Sequence, residues 1–182
     1  MRGAAFTLPA VLAVAGSDSS GGAGVQADLK TIAALGLYGE SAITALTAQN
    51  TTGASAMAPV APELVEAQVD AVFDDIAPQA VKVGMVGSAE VARAVARRLA
   101  ARGASRVVVD PVMVATSGAA LSGASAVEAL VEALLPLATL VTPNIPRPRR
   151  SPACASGARP TSVPRCSPPP RQSRVSRPAP CS

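Results

Sequence analysis

The chain has 182 residues and a formal charge of +4 from 16 basic and 12 acidic side chains, but its charge is unevenly spread. Residues up to Pro146 hold 8 basic and 12 acidic groups, whereas residues 147–182 hold 8 Arg, 9 of the 17 Pro, 7 Ser, all 3 Cys and no acid. That tail has no Leu, Ile, Met, Phe, Tyr or Trp, so it cannot build a core and is expected to be a disordered Arg/Pro/Ser-rich segment. The chain contains no His, which removes Ser-His-Asp and Cys-His nucleophile systems and His-containing zinc sites. Cys154, Cys166 and Cys181 are odd in number and match no metal-ligand spacing, which argues against a disulfide framework.

Arg2 and the apolar run Ala4 to Ala15, ending in Ala13-Val14-Ala15, have the outline of a secretory leader. Pro9 interrupts the run, and the residues after Ala15 read as the turn that a buried strand needs, so we assign Val11 to Val14 as a strand closed by Gly16. The longest uncharged stretch, Ser41 to Pro62, carries Gln49, Asn50, Thr and Pro and is no membrane span. The protein is expected in the cytoplasm.

After the first strand comes GSDSSGGAG, then a helical pattern with Val25, Leu29, Ile32 and Leu35 on one side and a stop at Gly36. Ala42 to Ala48 reads as a second strand, and Pro62 opens a helix with Val65, Val69, Val72, Phe73 and Ile76 on one stripe. Ala80 to Val86 is a third strand, followed by a helix from Ser88 to Gly103 with Val91, Val95 and Leu99 inward. Val107 to Val109 is a fourth strand closed by Asp110-Pro111. Val127, Leu130, Val131, Leu134 and Leu135 mark a fourth helix, and Thr139 to Thr142 a fifth strand ended by Pro143. Strands alternate with helices, so the fold class is α/β: a doubly wound, mostly parallel sheet flanked by helices, with about five strands. Residues 1–146 form this domain and 147–182 the tail.

Ligands of such sheets sit at the carboxyl ends of the strands: here Gly16 to Gly24, Gln49-Asn50, Gly84-Met85, Asp110 to Val112 and Thr142 to Asn144. The glycine cluster either lets a ligand approach the backbone, with helix N–H groups ready for an anion or polar oxygen, or is a tight connection. It is neither a Walker A loop nor a dinucleotide G-x-G-x-x-G. Asp28 either favours the helix dipole or binds. Gln49 either caps a loop or reads a heterocycle edge with its donor and acceptor. Met85 either packs in the core or walls a flat ring, and Asp110-Pro111 is at least a strand terminator.

Taken in order, GSDSSGGAGVQADLKT, ITALTAQNT, VKVGM, VVDPVMVATSG and LVTPNIP resemble the hydroxymethylpyrimidine/phosphomethylpyrimidine kinases of thiamine biosynthesis, members of the ribokinase-like superfamily; the resemblance runs from about Val11 to Pro146. It implies transfer of a phosphoryl group from ATP, with Mg2+, to the hydroxymethyl of 4-amino-5-hydroxymethyl-2-methylpyrimidine, then another to the monophosphate. It implies that Asp28 and Gln49 hydrogen-bond the aminopyrimidine, that Gly16, Ala23, Met85 and Val112 shape its pocket, and that Asn144 lies towards the phosphates and metal. A homodimer is in keeping with related kinases, and no catalytic side chain is assigned.

The sequence departs from the resemblance in three ways. Thr116 stands where the family often has Lys, Arg147 where it has Glu, and Arg/Pro/Ser sequence replaces roughly a hundred further residues. That further part would hold the Gly-Thr-Gly anion hole and most of the nucleotide pocket, so this chain is expected to be inactive in turnover. RPRRSPAC can be encoded so that one preceding G shifts the reading to EAEALAGV, a continuation resembling the family, and a frameshift near codon 147 is therefore hypothesised. A native basic arm for nucleic acid is the rival reading of the tail, weakened by the lack of interleaved aromatics. The functional rivals are a non-catalytic pyrimidine-binding module and a pyridoxal-kinase-like enzyme.

Overall fold

The computed structural model describes residues 8–111 and 124–142. Apolar residues that alternate between large and small set up two unlike faces of one sheet. The strand Ala10–Asp18 (β1) points Leu12 and Val14 to one side and Ala13 and Ala15 to the other. The helix Gly24–Ala34 (α1) follows, then the strand Tyr38–Asn50 (β2) and the strand Gly53–Pro59 (β3). Next come the helix Pro62–Asp75 (α2), the strand Ala80–Val83 (β4), the helix Ala89–Ala101 (α3) and the strand Val107–Val109 (β5). The helix Ala124–Ala129 (α4) runs on through a π turn, Leu130–Leu134, and a 3-10 turn, Leu135–Leu137, to the strand Leu140–Val141 (β6).

The sheet has six strands in the order β3-β2-β1-β4-β5-β6. Every neighbouring pair is parallel except β2 and β3, which form an antiparallel hairpin. The hairpin corrects the expected count of about five strands. Its sequence, GASAMAP, is built of small residues that are exposed almost throughout, so it lacks the apolar alternation that announces a strand. Its turn is fixed instead by Asn50, whose Oδ1 accepts from the N–H of Thr52 and Gly53.

The large-residue face packs against α2, α3 and the Leu130–Leu134 turn. Leu12, Val14, Val81, Val83, Val107 and Val109 meet Val65, Val69, Val95, Leu99 and Leu134 in one buried cluster. Each such side chain contributes about 1.5–3 kcal/mol by leaving water. Of the residues expected on apolar faces, Leu35 and Val131 are corrections: Leu35 is exposed at the C-cap of α1, and Val131 is exposed because the chain winds through a π turn that buries Leu130 and Leu134 instead. Along the outer sides of α2 and α3, Glu66, Asp70 and Asp74 pair with Arg97, Arg98 and Arg102. Ser88 caps α3 by accepting from the Val91 N–H.

Among the described residues the small-residue face carries α1 alone. Ala13, Ala15 and Val25 are buried there with Ile43 packed against them. Among the described residues no helix lies over β4, β5 and β6 on this side, where Lys82, Val108 and Leu140 share a register. No helix among the described residues is long and apolar enough to cross a membrane.

Candidate functional site

The site grows from the carboxyl end of β1, which continues past Val14 to Asp18 and so carries Gly16 and Ser17 within the strand. This extension corrects the expected strand end at Val14. Gly16 is buried, and a Cβ there would displace the Met85 methyl. Gly24 opens α1 at φ +57, and a Cβ on it would strike the Gly16 carbonyl. Glycine is required twice over, and α1 begins directly against the strand end.

Hydroxyl groups then stitch the strand ends together. Thr44, 1% exposed, donates from Oγ1 to the Met85 carbonyl at 2.7 Å. Thr47 donates to the Ser17 carbonyl at 2.8 Å. The Ser19 hydroxyl donates to the Gln49 carbonyl at 2.6 Å and accepts from the Gln49 N–H at 2.7 Å. Gln26, on α1, accepts from the Asp18 N–H and donates to the Ser17 hydroxyl. Loop, helix and three strands thus hold one another through groups that a shift of an ångström would unpair.

The glycine-rich turn does not present an open anion cradle. Asp18, 4% exposed, fills it: its carboxylate accepts from the N–H groups of Ser20, Gly22 and Ala23 and from the Ser20 hydroxyl. Burial pushes its pKa upward, yet these hydrogen bonds outweigh burial and hold it below the usual carboxylate value. The N–H groups at 20, 22 and 23 thus already have an internal anion.

Asp28 lies one turn into α1 and reaches across to β4. Its Oδ2 sits 2.9 Å from the Lys82 ammonium, which also stands 3.9 Å from Asp110 Oδ2 just past β5. Gln49 is half-buried near the end of β2 and tied by its backbone to Ser19. No hydrogen bond joins Asp28 to Gln49. Gly16 and Met85 touch, and Ala23 is the N-cap of α1 with its N–H on Asp18. Val112 and Asn144 lie outside the described residues.

Asp18, Ser19, Thr44, Thr47 and Lys82 went unnoticed in the sequence. Lys82 had a readable signal, a lone charge inside the apolar run Ala80 to Val86. Among the described residues no group of three or more acidic, Cys or His side chains converges. Asp110 has the Lys82 ammonium beside it, so these residues do not by themselves make a magnesium site.

A family model described as phosphomethylpyrimidine kinase matches residues 18–150. The hydroxymethylpyrimidine/phosphomethylpyrimidine kinase of Rhizobium meliloti is 60% identical over 134 residues, 74% of this chain and 50% of that one. Its counterpart from Escherichia coli is 50% identical over 135 residues, 74% of this chain and 51% of that one. Among solved structures, the phosphomethylpyrimidine kinase of Clostridium difficile superposes with a TM-score of 0.72 at 50% identity, covering 76% of this chain and 60% of that one. The pyridoxal kinase of Staphylococcus aureus, solved with AMP-PCP and pyridoxal, gives a TM-score of 0.64 at 40% identity, covering 76% of this chain and 49% of that one.

The sheet order, the flanking helices and these superpositions define a ribokinase-like α/β fold of the kind used by vitamin kinases. Within that class, the chain belongs to the phosphomethylpyrimidine kinase family. It spans about half the length of the two curated kinases it matches.

Proposed function

We propose that this chain supplies the pyrimidine-binding half of a kinase that phosphorylates 4-amino-5-hydroxymethyl-2-methylpyrimidine and then its monophosphate. ATP with Mg2+ is the phosphoryl donor in this reading: the hydroxymethyl oxygen bonds to the γ-phosphorus, the bond to the β-phosphate oxygen breaks, and ADP leaves. The observation that carries the reading is the contact between Gly16 and Met85 at strand ends stitched by Thr44, Thr47 and Ser19. In this reading the ring lies against the soft thioether of Met85. In this reading Asp28 accepts from the exocyclic amine, and the Gln49 amide offers both a donor and an acceptor to ring nitrogens. By the family resemblance, Ala23 and Val112 belong to the proposed ring pocket and Asn144 to the proposed phosphate and metal side.

Phosphoryl transfer depends on positioned groups around the nucleotide, so the reading separates ring binding from turnover. A cytoplasmic homodimer is part of the proposal, on the strength of the family. Titration calorimetry with hydroxymethylpyrimidine, with and without Mg-ATP, tests it. Binding that Asp28→Ala and Gln49→Ala together abolish supports the reading, and affinity untouched by both substitutions overturns it. Pyridoxal is the competing ligand in the same titration, since a pyridoxal kinase shares the fold at 40% identity. Tighter binding of pyridoxal would move the assignment to that relative.

A further inference from the structure

We propose that Lys82 is a positioning residue that holds the Asp28 carboxylate in place for the ring's exocyclic amine; the role rests on the pyrimidine reading above. Lys82 is the one charged residue of β4, a strand flanked by β1 and β5 in the middle of the sheet. It is in register with Ala13 and Val108, on the small-residue face beside the strands that α1 covers. An ammonium there needs partners, and its side chain is 28% exposed while that of Asp28 is 19% exposed.

The geometry gives the pairing a direction. Lys82 binds Oδ2 of Asp28 at 2.9 Å, and among the described residues Oδ1 takes no hydrogen bond. A carboxylate clamped through one oxygen keeps the other at a fixed place, where an amine can donate to it. On its other side the ammonium rests over Gly84, where an added Cβ would lie 2.9 Å from Nζ. Gly84 immediately precedes Met85, so one cation links the wall of the ring pocket to the acid that reads the ring. Asp110, 3.9 Å away, supplies the second negative charge. Without Lys82, Asp28 and Asp110 would face each other uncompensated, and Asp28 would turn toward water.

Amide chemical shifts of the isotope-labelled 182-residue chain, titrated with hydroxymethylpyrimidine and with the analogue lacking the 4-amino group, read this role directly. Lys82→Met is expected to weaken the aminopyrimidine about tenfold while leaving the des-amino ring within about twofold. The double variant Lys82→Met/Asp28→Asn is expected to bind no more weakly than Asp28→Asn alone. Lys82→Arg, which keeps the charge, is expected to show a smaller loss with the same selectivity, and stands in should Lys82→Met not fold. Equal losses for both rings would mean a merely structural lysine and overturn the proposal. So would a wild-type affinity in Lys82→Met beside a loss in Asp28→Asn, which would leave the pyrimidine reading intact. Absence of any shift with wild type would overturn that reading and this proposal together.

Discussion

Glu40 lies near the start of β2, beside a cavity of about 380 Å³ lined by Tyr38, Ser41, Val72, Asp75 and Ile76. Its Oε2 is buried without a hydrogen-bond partner among the described residues. Burial, and then the negative charge of Asp75, push its carboxyl from an ordinary 4.5 up to about 7. Below 4.5 the group is neutral in both folded and unfolded chains. Between 4.5 and about 7 the unfolded chain releases a proton that the folded chain keeps, so stability falls as pH rises, and above about 7 the full cost is present. At about 1.4 kcal/mol per tenfold change in proton affinity the cost is at most ~3.5 kcal/mol, and partial solvent contact lowers it to about 1–2 kcal/mol. The chain has no His, so no other side chain has its ordinary value in this window. Urea unfolding at pH 5 and pH 8 is therefore expected to show a loss of about 1–2 kcal/mol in wild type, and almost none in Glu40→Gln. Asp75→Asn is expected to move the drop to lower pH. An equal pH dependence in wild type and Glu40→Gln would refute the reasoning.

Further outcomes follow from the strand-end site. Gly16→Ala is expected to swing the flexible Met85 methyl aside, at up to about 1 kcal/mol in urea unfolding, and to weaken ring binding. Asp18→Ala strips an acceptor from three N–H groups and is expected to lose about 2–3 kcal/mol at neutral pH. Because the folded value of Asp18 lies below its ordinary 3.8, that stabilisation is present above 3.8 and is lost as pH falls through the folded value; acid unfolding of wild type and Asp18→Asn should therefore differ in this window. At the β6 edge, Leu140 is 55% exposed and Val141 37% exposed, so Leu140→Lys is expected to leave stability within about 0.5 kcal/mol and to raise the concentration at which light scattering reports association.

The helices were legible wherever an apolar stripe met a stop signal. Val65 and Val69 in α2, and Val91, Val95 and Leu99 in α3, are buried as the period of the sequence requires. The hairpin strand Gly53–Pro59 was not legible because its residues face solvent and its pairing is set by β2 and by Asn50, neither of which leaves a pattern in GASAMAP. The turn at Val131 was misread because a π turn breaks the helical period. In the candidate site, spacing pointed to the strand ends but could not tell which N–H groups were already taken. Asp18 looked like one more polar residue of a glycine-rich turn, and only the fold shows that its carboxylate occupies the turn from within. Lys82 was visible as a charge in a strand, but its partners come from α1 and from the residue after β5.

The two sheet faces divide the work between stability and geometry. Large side chains on the α2 and α3 side interlock in a cluster that depends on volume, so truncations there act on stability wherever they fall. On the α1 side Ala13 and Ala15 contribute little apolar area, but they let the helix approach the sheet, and Gly24 meets Gly16 at the strand end. That close approach puts Asp28 within reach of a lysine rooted in the central sheet, and puts Met85 against β1. Enlarging Ala13 or Ala15 would lift α1 and separate these groups before it unfolded the α2 and α3 side. The sequence therefore uses small residues where position matters and large ones where cohesion does, and the candidate site lies on the side built for position.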